Sequence, residues 1–241
     1  MQLRRYRLLH QAAEQLWGSR PRPVPGSMLS SPAVRPTCPR CLRPTDFCAC
    51  AGLRPVGSRT RVVILQHPRE AGLAICSAWL TRIALENAEI HRGFDFGRNP
   101  RIAALAAEPG TALLFPGEGA APIASRAADP PPVLIVVDAT WPQATKVLRA
   151  NPAIAALPRL ALSPCRPSGY GDLRREPADG HLPTIEAVAE ALGTLEDDPA
   201  RFAPMVEAFR MTVARQLACA RGPRRSPRHR PGARALAGGG S

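Results

Sequence analysis

No stretch of this 241-residue chain approaches the roughly 18 consecutive apolar residues that a membrane span needs, which excludes a helical integral membrane protein. The start, Met1-Gln2-Leu3-Arg4-Arg5-Tyr6-Arg7, leads into a polar amphipathic segment and lacks the apolar core of a secretory signal. The expectation is a soluble, cytoplasmic protein with no membrane partner. A Walker A loop is missing, and so are G-x-S-x-G, H-E-x-x-H and G-x-G-x-x-G patterns, which weakens any nucleotide-triphosphatase or hydrolase reading. No internal repeat is evident. Lysine is nearly absent, Lys146 being the only one, and residues 208–241 contain no acidic side chain at all.

What is present is arginine, and it sits at the two ends. Residues 1–43 hold eight Arg and one Glu, and residues 208–241 hold eight Arg, so the ends carry +7 and +8 and the middle −2 of the net +13. Basic arms around a near-neutral body suit a polyanion, because each phosphate they neutralise releases counterions and adds sequence-independent affinity. Nucleic acid is the partner this pattern points to. Compositional drift is the competing explanation, since Ala, Pro and Arg abound together.

Four of the seven cysteines fall within thirteen residues, as Cys38-Pro39-Arg40-Cys41 and Cys48-Ala49-Cys50, while Cys76, Cys165 and Cys219 are scattered. A C-x2-C turn offers two thiolates to one tetrahedral ion, and the C-x-C pair returns to complete the set. A reducing cytosol disfavours disulfides, so the spacing reads as zinc ahead of disulfides or idle thiols. Four thiolates leave no position open for water, which makes such a site structural.

Length and pattern together predict one α/β domain with appendages. Residues 1–36 read as a basic amphipathic helix and Pro-rich linker, 37–52 as a small N-terminal zinc-binding module, 58–220 as the main domain, and 221–241 as a disordered Arg-rich tail. Within the domain, strands at 62–65, 112–115, 133–137 and 160–162 interleave with helices at 73–85 and 142–150, which predicts a mostly parallel sheet with flanking helices. Residues 163–180 form a long Pro- and Gly-rich loop, and helices at 184–192 and 199–218 close the domain.

The junction Val133-Leu134-Ile135-Val136-Val137-Asp138-Ala139-Thr140-Trp141-Pro142 carries the most chemistry. An unbroken apolar run suits a strand covered on both faces, and ligands of such sheets gather at the carboxyl ends of the strands, where Asp138 stands. Thr140 and Gln143 have capping-box spacing, so the next helix starts at once and aims its free amides at the same crevice. By itself the pattern also allows Asp138 as a plain cap and Trp141 as a core indole. Two more strands end in polar, Pro- or Gly-bearing loops: Leu65-Gln66-His67-Pro68-Arg69-Glu70 and Phe115-Pro116-Gly117-Glu118-Gly119-Ala120. Three such loops would share one sheet edge.

Taken in order, the cysteine cluster, Gln66-His67-Pro68-Arg69-Glu70, Leu114-Phe115-Pro116-Gly117, Asp138-Ala139-Thr140-Trp141 and Leu182-Pro183-Thr184-Ile185-Glu186-Ala187 resemble the DTW-domain family over about Cys38 to Leu192. The resemblance implies a core related to the knotted SPOUT methyltransferases and a tRNA-uridine aminocarboxypropyltransferase. Such an enzyme moves the 3-amino-3-carboxypropyl group of S-adenosylmethionine to N3 of a uridine in tRNA. It further implies Asp138 as the catalytic base. Pro116, Gly117, Glu118 and Gly119, with Asp138, Thr140 and Trp141, would contact S-adenosylmethionine. Trp141, His67, Glu70, Arg174, Glu176, Thr184 and Glu186 would contact substrate, and Cys38, Cys41, Cys48 and Cys50 would hold a structural zinc. The chain departs from the family at Pro183, where serine is usual, and in the nonpolar Ala71-Gly72-Leu73-Ala74. A SPOUT-type RNA methyltransferase and a non-catalytic zinc-bearing RNA-binding protein are the alternatives, and monomer and homodimer both stay open.

Overall fold

Val62, Val63, Ile64 and Leu65 are fully buried in the first strand, β1 (Arg61–Gln66), because the strand lies mid-sheet with helices on both faces. In the computed structural model the described residues are 36–221, apart from Leu42, Ala49, 51–52, 72–75 and 163–181. Their other strands are β2 (Ala88–Arg92), β3 (Ala112–Leu114), β4 (Ala121–Pro122), β5 (Val133–Asp138) and β6 (Arg159–Ala161). Their helices are α1 (Ser77–Ala84), α2 (Pro100–Ala107), α3 (Trp141–Ala150), α4 (Pro152–Ala155), α5 (Thr184–Leu195) and α6 (Pro199–Arg221). The sheet runs β2-β1-β5-β3-β6-β4, and every pairing is parallel. No helix among the described residues is long and apolar enough to cross a membrane.

Side chains alternate along each strand and so feed two cores. Val62 and Ile64 of β1 and Leu134 and Val136 of β5 pack with α1, α5 and α6 on one face. Val63, Leu65, Val133 and Ile135 pack with Ile102, Leu105, Val147, Leu148 and Ile154 of α2, α3 and α4 on the other. The chain therefore leaves β1 toward one face and leaves the adjacent β5 toward the opposite face. Such a divergence opens a crevice at the carboxyl ends of the two strands, the usual ligand position in an open parallel sheet.

The α/β class and the parallel sheet agree with the sequence pattern, and the expected elements reappear with shifted ends. Four elements escape that pattern: β2, α2 and the short β4 and α4. β2 is an edge strand reading Ala-Glu-Ile-His-Arg, partly exposed, so it lacks the apolar run that marks the buried strands. α2 is short and starts on a cap, with Asn99 Oδ1 accepting from the N–H groups of Arg101 and Ile102 at 3.0 and 3.4 Å and Pro100 at the helix start. The anticipated knot, the long loop, the N-terminal helix and the Arg-rich tail lie outside what the described residues show.

Close backbone approach fixes the helical hairpin. A Cβ on Gly193 of α5 would stand 2.9 Å from Pro199 Cα at the start of α6. On the other side of the sheet, Asn151 binds the β2–α2 loop. Its Oδ1 accepts from Phe96 N–H at 2.7 Å, and its Nδ2 donates to Phe94 O at 2.9 Å and Val147 O at 2.7 Å. The side chain is buried, 3% exposed, so its partners have no water to turn to. Asn151→Ala should lower stability by about 1–3 kcal/mol through the unsatisfied groups it leaves. A thermal melt should show a fall of about 2–4 °C for each kcal/mol, whereas an unchanged melting temperature would mean these bonds add nothing.

Candidate active site at the β1–β5 crevice

Gln66 and Asp138 are the final residues of β1 and β5, and the parallel register places them side by side. Gln66 is completely buried, and its Nε2 donates to Asp138 Oδ2 at 2.9 Å. The other carboxylate oxygen, Oδ1, accepts from the Thr184 hydroxyl at 2.6 Å. Thr184 opens α5, so the closing helical hairpin is tied to the crevice through this bond. Two donors on two elements thus fix the plane of a partly exposed carboxylate at the sheet edge. Gln66 is held in turn, since its Oε1 accepts from Arg92 Nε at 3.2 Å and its Nε2 also lies 3.0 Å from Cys76 Sγ. Burial, and then the nearby Asp138 charge, push the Cys76 thiol up from its ordinary pKa, so Cys76 stands there as a neutral thiol.

α3 starts directly after Asp138, as its sequence signature requires. Thr140 N–H donates to Gln143 Oε1 at 3.0 Å, and Trp141 is the first helical residue. The indole is only half-buried and packs against Phe115, with ring centroids 5.0 Å apart and planes tilted by 55°. Phe115 follows β3, so this pair joins the loop after β3 to the loop after β5. The Arg159 guanidinium lies 6.0 Å from the Phe115 ring on its other flank.

The loop after β3 is exposed from Pro116 to Gly119 and turns on two glycines at positive φ, Gly117 at 138° and Gly119 at 75°. Side chains are disfavoured there: a Cβ on Gly119 would meet nothing within 4 Å, and one on Gly117 would stand 3.5 Å from the Arg159 guanidinium. After β1, His67 N–H donates to Asp138 O at 2.9 Å, and Arg69 N–H donates to His67 Nδ1 at 3.2 Å. Glu70 is buried at the end of that turn, and Glu186 is buried in the first turn of α5. The expected residues Asp138, Thr140, Trp141, His67, Glu70, Pro116, Gly117, Glu118, Gly119, Thr184 and Glu186 thus belong to the loops and helix starts around this edge. Arg174 and Glu176 lie outside the described residues. Gln66, Phe115, Arg92 and Cys76 were not expected at the site. The motif around His67 contained Gln66, yet nothing in a linear sequence states which residue of β1 faces Asp138.

A second centre lies before the sheet. The sulfur atoms of Cys38, Cys41, Cys48 and Cys50 are all within 4.8 Å of one another, with those of Cys41 and Cys48 3.7 Å apart, and the thiols are not joined as disulfides. Four thiolates around a tetrahedral zinc at ~2.3 Å stand ~3.8 Å apart, so the set could hold such an ion after slight closure. Backbone N–H groups of Cys41 and Arg40 hold the Cys38 thiol down at about 6, while burial pushes Cys41 and Cys50 up. A thiolate is the ligating form, so an ion bound here would hold all four thiols deprotonated. The segment is bound to the helices: Arg40 donates to Leu53 O and Ile83 O at 3.1 Å each, Trp79 Nε1 donates to Arg40 O at 3.1 Å, and Arg215 donates to Cys48 O at 2.6 Å.

This combination of a four-cysteine turn and an Asp-x-Thr-Trp edge has a counterpart among known sequences, for the sequence model of the DTW domain matches residues 35–217. The chain belongs to the DTW-domain family. It is similar to tRNA-uridine aminocarboxypropyltransferase 2 of Drosophila melanogaster, at 31% identity over 183 residues, 72% of this chain and 72% of that protein. The protein of the same name from Mus musculus is 33% identical over 174 residues, 67% of this chain and 57% of its own length. The tRNA-uridine aminocarboxypropyltransferase A of Arabidopsis thaliana is 31% identical over 196 residues, 68% of this chain and 74% of its own. No solved structure matches significantly. The DTW signature of this chain, Asp138-Ala139-Thr140-Trp141, is therefore the segment that spans the crevice.

Because the cysteine segment anchors α1 and α6, removing a bound ion should loosen both helices. Chelation of the purified DTW protein should release a stoichiometric metal ion and lower its melting temperature, and Cys41→Ser should do the same. Metal-free protein that melts unchanged would refute a structural metal.

Proposed function

We propose that this DTW-domain protein is a tRNA-uridine aminocarboxypropyltransferase, moving the 3-amino-3-carboxypropyl group of S-adenosylmethionine to N3 of a uridine in tRNA. The observation that supports this most is the Asp138 carboxylate, held by Gln66 and Thr184 at the mouth of the crevice, three residues before the half-buried indole of Trp141. Uridine N3 carries a proton at neutral pH and attacks carbon poorly until a positioned base takes that proton. Asp138 is that base: with one lone pair on each oxygen committed to Gln66 and Thr184, its remaining lone pairs can accept the N3 proton. The Trp141 ring, braced by Phe115, gives the uridine a flat surface, and such stacking contributes roughly 1–3 kcal/mol per base.

The glycine turn Pro116-Gly117-Glu118-Gly119 and the DTW turn fit S-adenosylmethionine between them, because the exposed loop after β3 meets the start of α3 through the Phe115–Trp141 contact. The donor's sulfonium supplies an activated carbon, so N3–C forms as C–S breaks and methylthioadenosine leaves. No metal is needed for that displacement. The remaining task is alignment, which the clamp on Asp138 and the paired rings carry out. His67, Glu70, Arg174, Glu176 and Glu186 complete the substrate side, and the four cysteines hold a structural zinc remote from the reacting atoms in role.

Nucleoside mass spectrometry after incubating tRNA with the protein and S-adenosylmethionine labelled in its aminocarboxypropyl chain tests donor, acceptor and transferred group together. The expected product is a uridine that carries the labelled group. A gain of one unlabelled carbon would make the protein a methyltransferase instead.

A further inference from the structure

Beyond Asp138, the carboxyl edge of the sheet continues through β1 to the β2 margin. Phe94, just past β2, leaves 42% of its surface in solvent. A ring of that size is normally drawn inward, and an exposed one on a loose loop means little. This loop, however, is fastened on both sides of the ring. Asn151 holds Phe94 O and Phe96 N–H, Gly93 N–H donates to Gln66 O at 3.1 Å, and the Phe96 side chain is buried in the core. The backbone therefore presents Phe94 outward.

His67 meets the Phe94 ring edge-on, with centroids 6.1 Å apart and planes at 83°. His67 also bonds the Asp138 backbone, so the aromatic pair adjoins the crevice. Arg69 and Arg98 are exposed on the same two loops and Arg92 at the end of β2, where its Nε holds Gln66, and among the described residues none of the three is in an ion pair. The one acid at the tip of the β2 loop, Asp95, is exposed and accepts from Gly97 N–H at 2.9 Å, and the three arginines outnumber it. An exposed ring rimmed by arginines suits a base with its phosphates, because every base offers a π face and each neutralised phosphate adds affinity. A protein interface would deplete charge around its central aromatic group, and this rim does the opposite.

We infer that the Phe94–His67 face seats a nucleotide that neighbours the target uridine in tRNA, with its base on Phe94 and its phosphates at Arg69, Arg92 and Arg98. The inference rests on the function proposed above and extends it. The strand order supports the placement: β3 and its glycine turn lie on one side of Asp138, and β1 and β2 lie on the other. The neighbouring nucleotide thus lies on the flank of the acid away from the glycine turn.

The test uses the full chain with Phe94→Ala, Phe94→Tyr and Arg98→Ala. tRNA binding is measured over a range of salt without S-adenosylmethionine, and KM for each substrate is measured separately. Phe94→Ala should weaken tRNA binding and raise the tRNA KM about tenfold, the scale of one lost stacked base, while Phe94→Tyr stays near wild type. Arg98→Ala should reduce the log–log salt slope by about one phosphate contact. The KM for S-adenosylmethionine should not move. Wild-type tRNA binding and KM in Phe94→Ala would overturn the inference while leaving the proposed activity intact. Phe94-dependent tRNA binding without any modified uridine would support this face and sink the proposed activity. If Phe94→Ala instead changes the size of the free protein at unchanged tRNA affinity, the face joins copies of the chain and the inference fails.

Discussion

A buried amide decides where the carboxylate of Asp138 can point. Gln66 is sealed at the end of β1, and its side chain has Arg92, Cys76 and Asp138 as neighbours. A buried amide without partners would be costly, so Gln66 and Asp138 constrain each other. Thr184 closes the arrangement from the opposite element, on the helix that the long connection 163–181 leads into. Loss of the β1–β5 register would disperse all of these contacts, because a shift of one residue turns each side chain to the other face. Six consecutive pairings, from Arg61 with Val133 to Gln66 with Asp138, carry that register, and through them the two strands position the acid.

The second centre acts on the same crevice indirectly. Arg40, between two of the clustered cysteines, bonds the carbonyl of Ile83 near the end of α1, and Trp79 of α1 bonds back to Arg40. The N-cap of α1 is Cys76, which touches Gln66. A metal held by the four cysteines would thus stiffen the helix whose start borders Gln66. Structural metal sites of this kind contribute to folding outright.

Much of this was legible in the chain before any coordinates. The unbroken run Val133 to Val137 marked a strand covered on both faces, Thr140 and Gln143 marked the helix start, and the cysteine spacing marked a cluster. These signals are local, carried by a few adjacent residues with a known geometric meaning. The clamp was not legible, since Gln66 and Asp138 are 72 residues apart and meet through strand register alone. The bond from the Thr184 hydroxyl to Asp138 was equally hidden, because tertiary packing alone creates it. β2 was hidden by its own chemistry: an edge strand needs no apolar run, and its polar residues include the Arg92 that holds Gln66.

The central claim is that a clamped carboxylate takes the proton from the base stacked beside it. Asp138→Asn keeps the shape of the side chain and removes its basicity, so the decisive measurement is the single-turnover rate of tRNA modification by this variant at saturating tRNA and S-adenosylmethionine. The account predicts a loss of about 100- to 10,000-fold, the usual contribution of a general base, with tRNA affinity near wild type. A rate equal to that of the unaltered protein would contradict it.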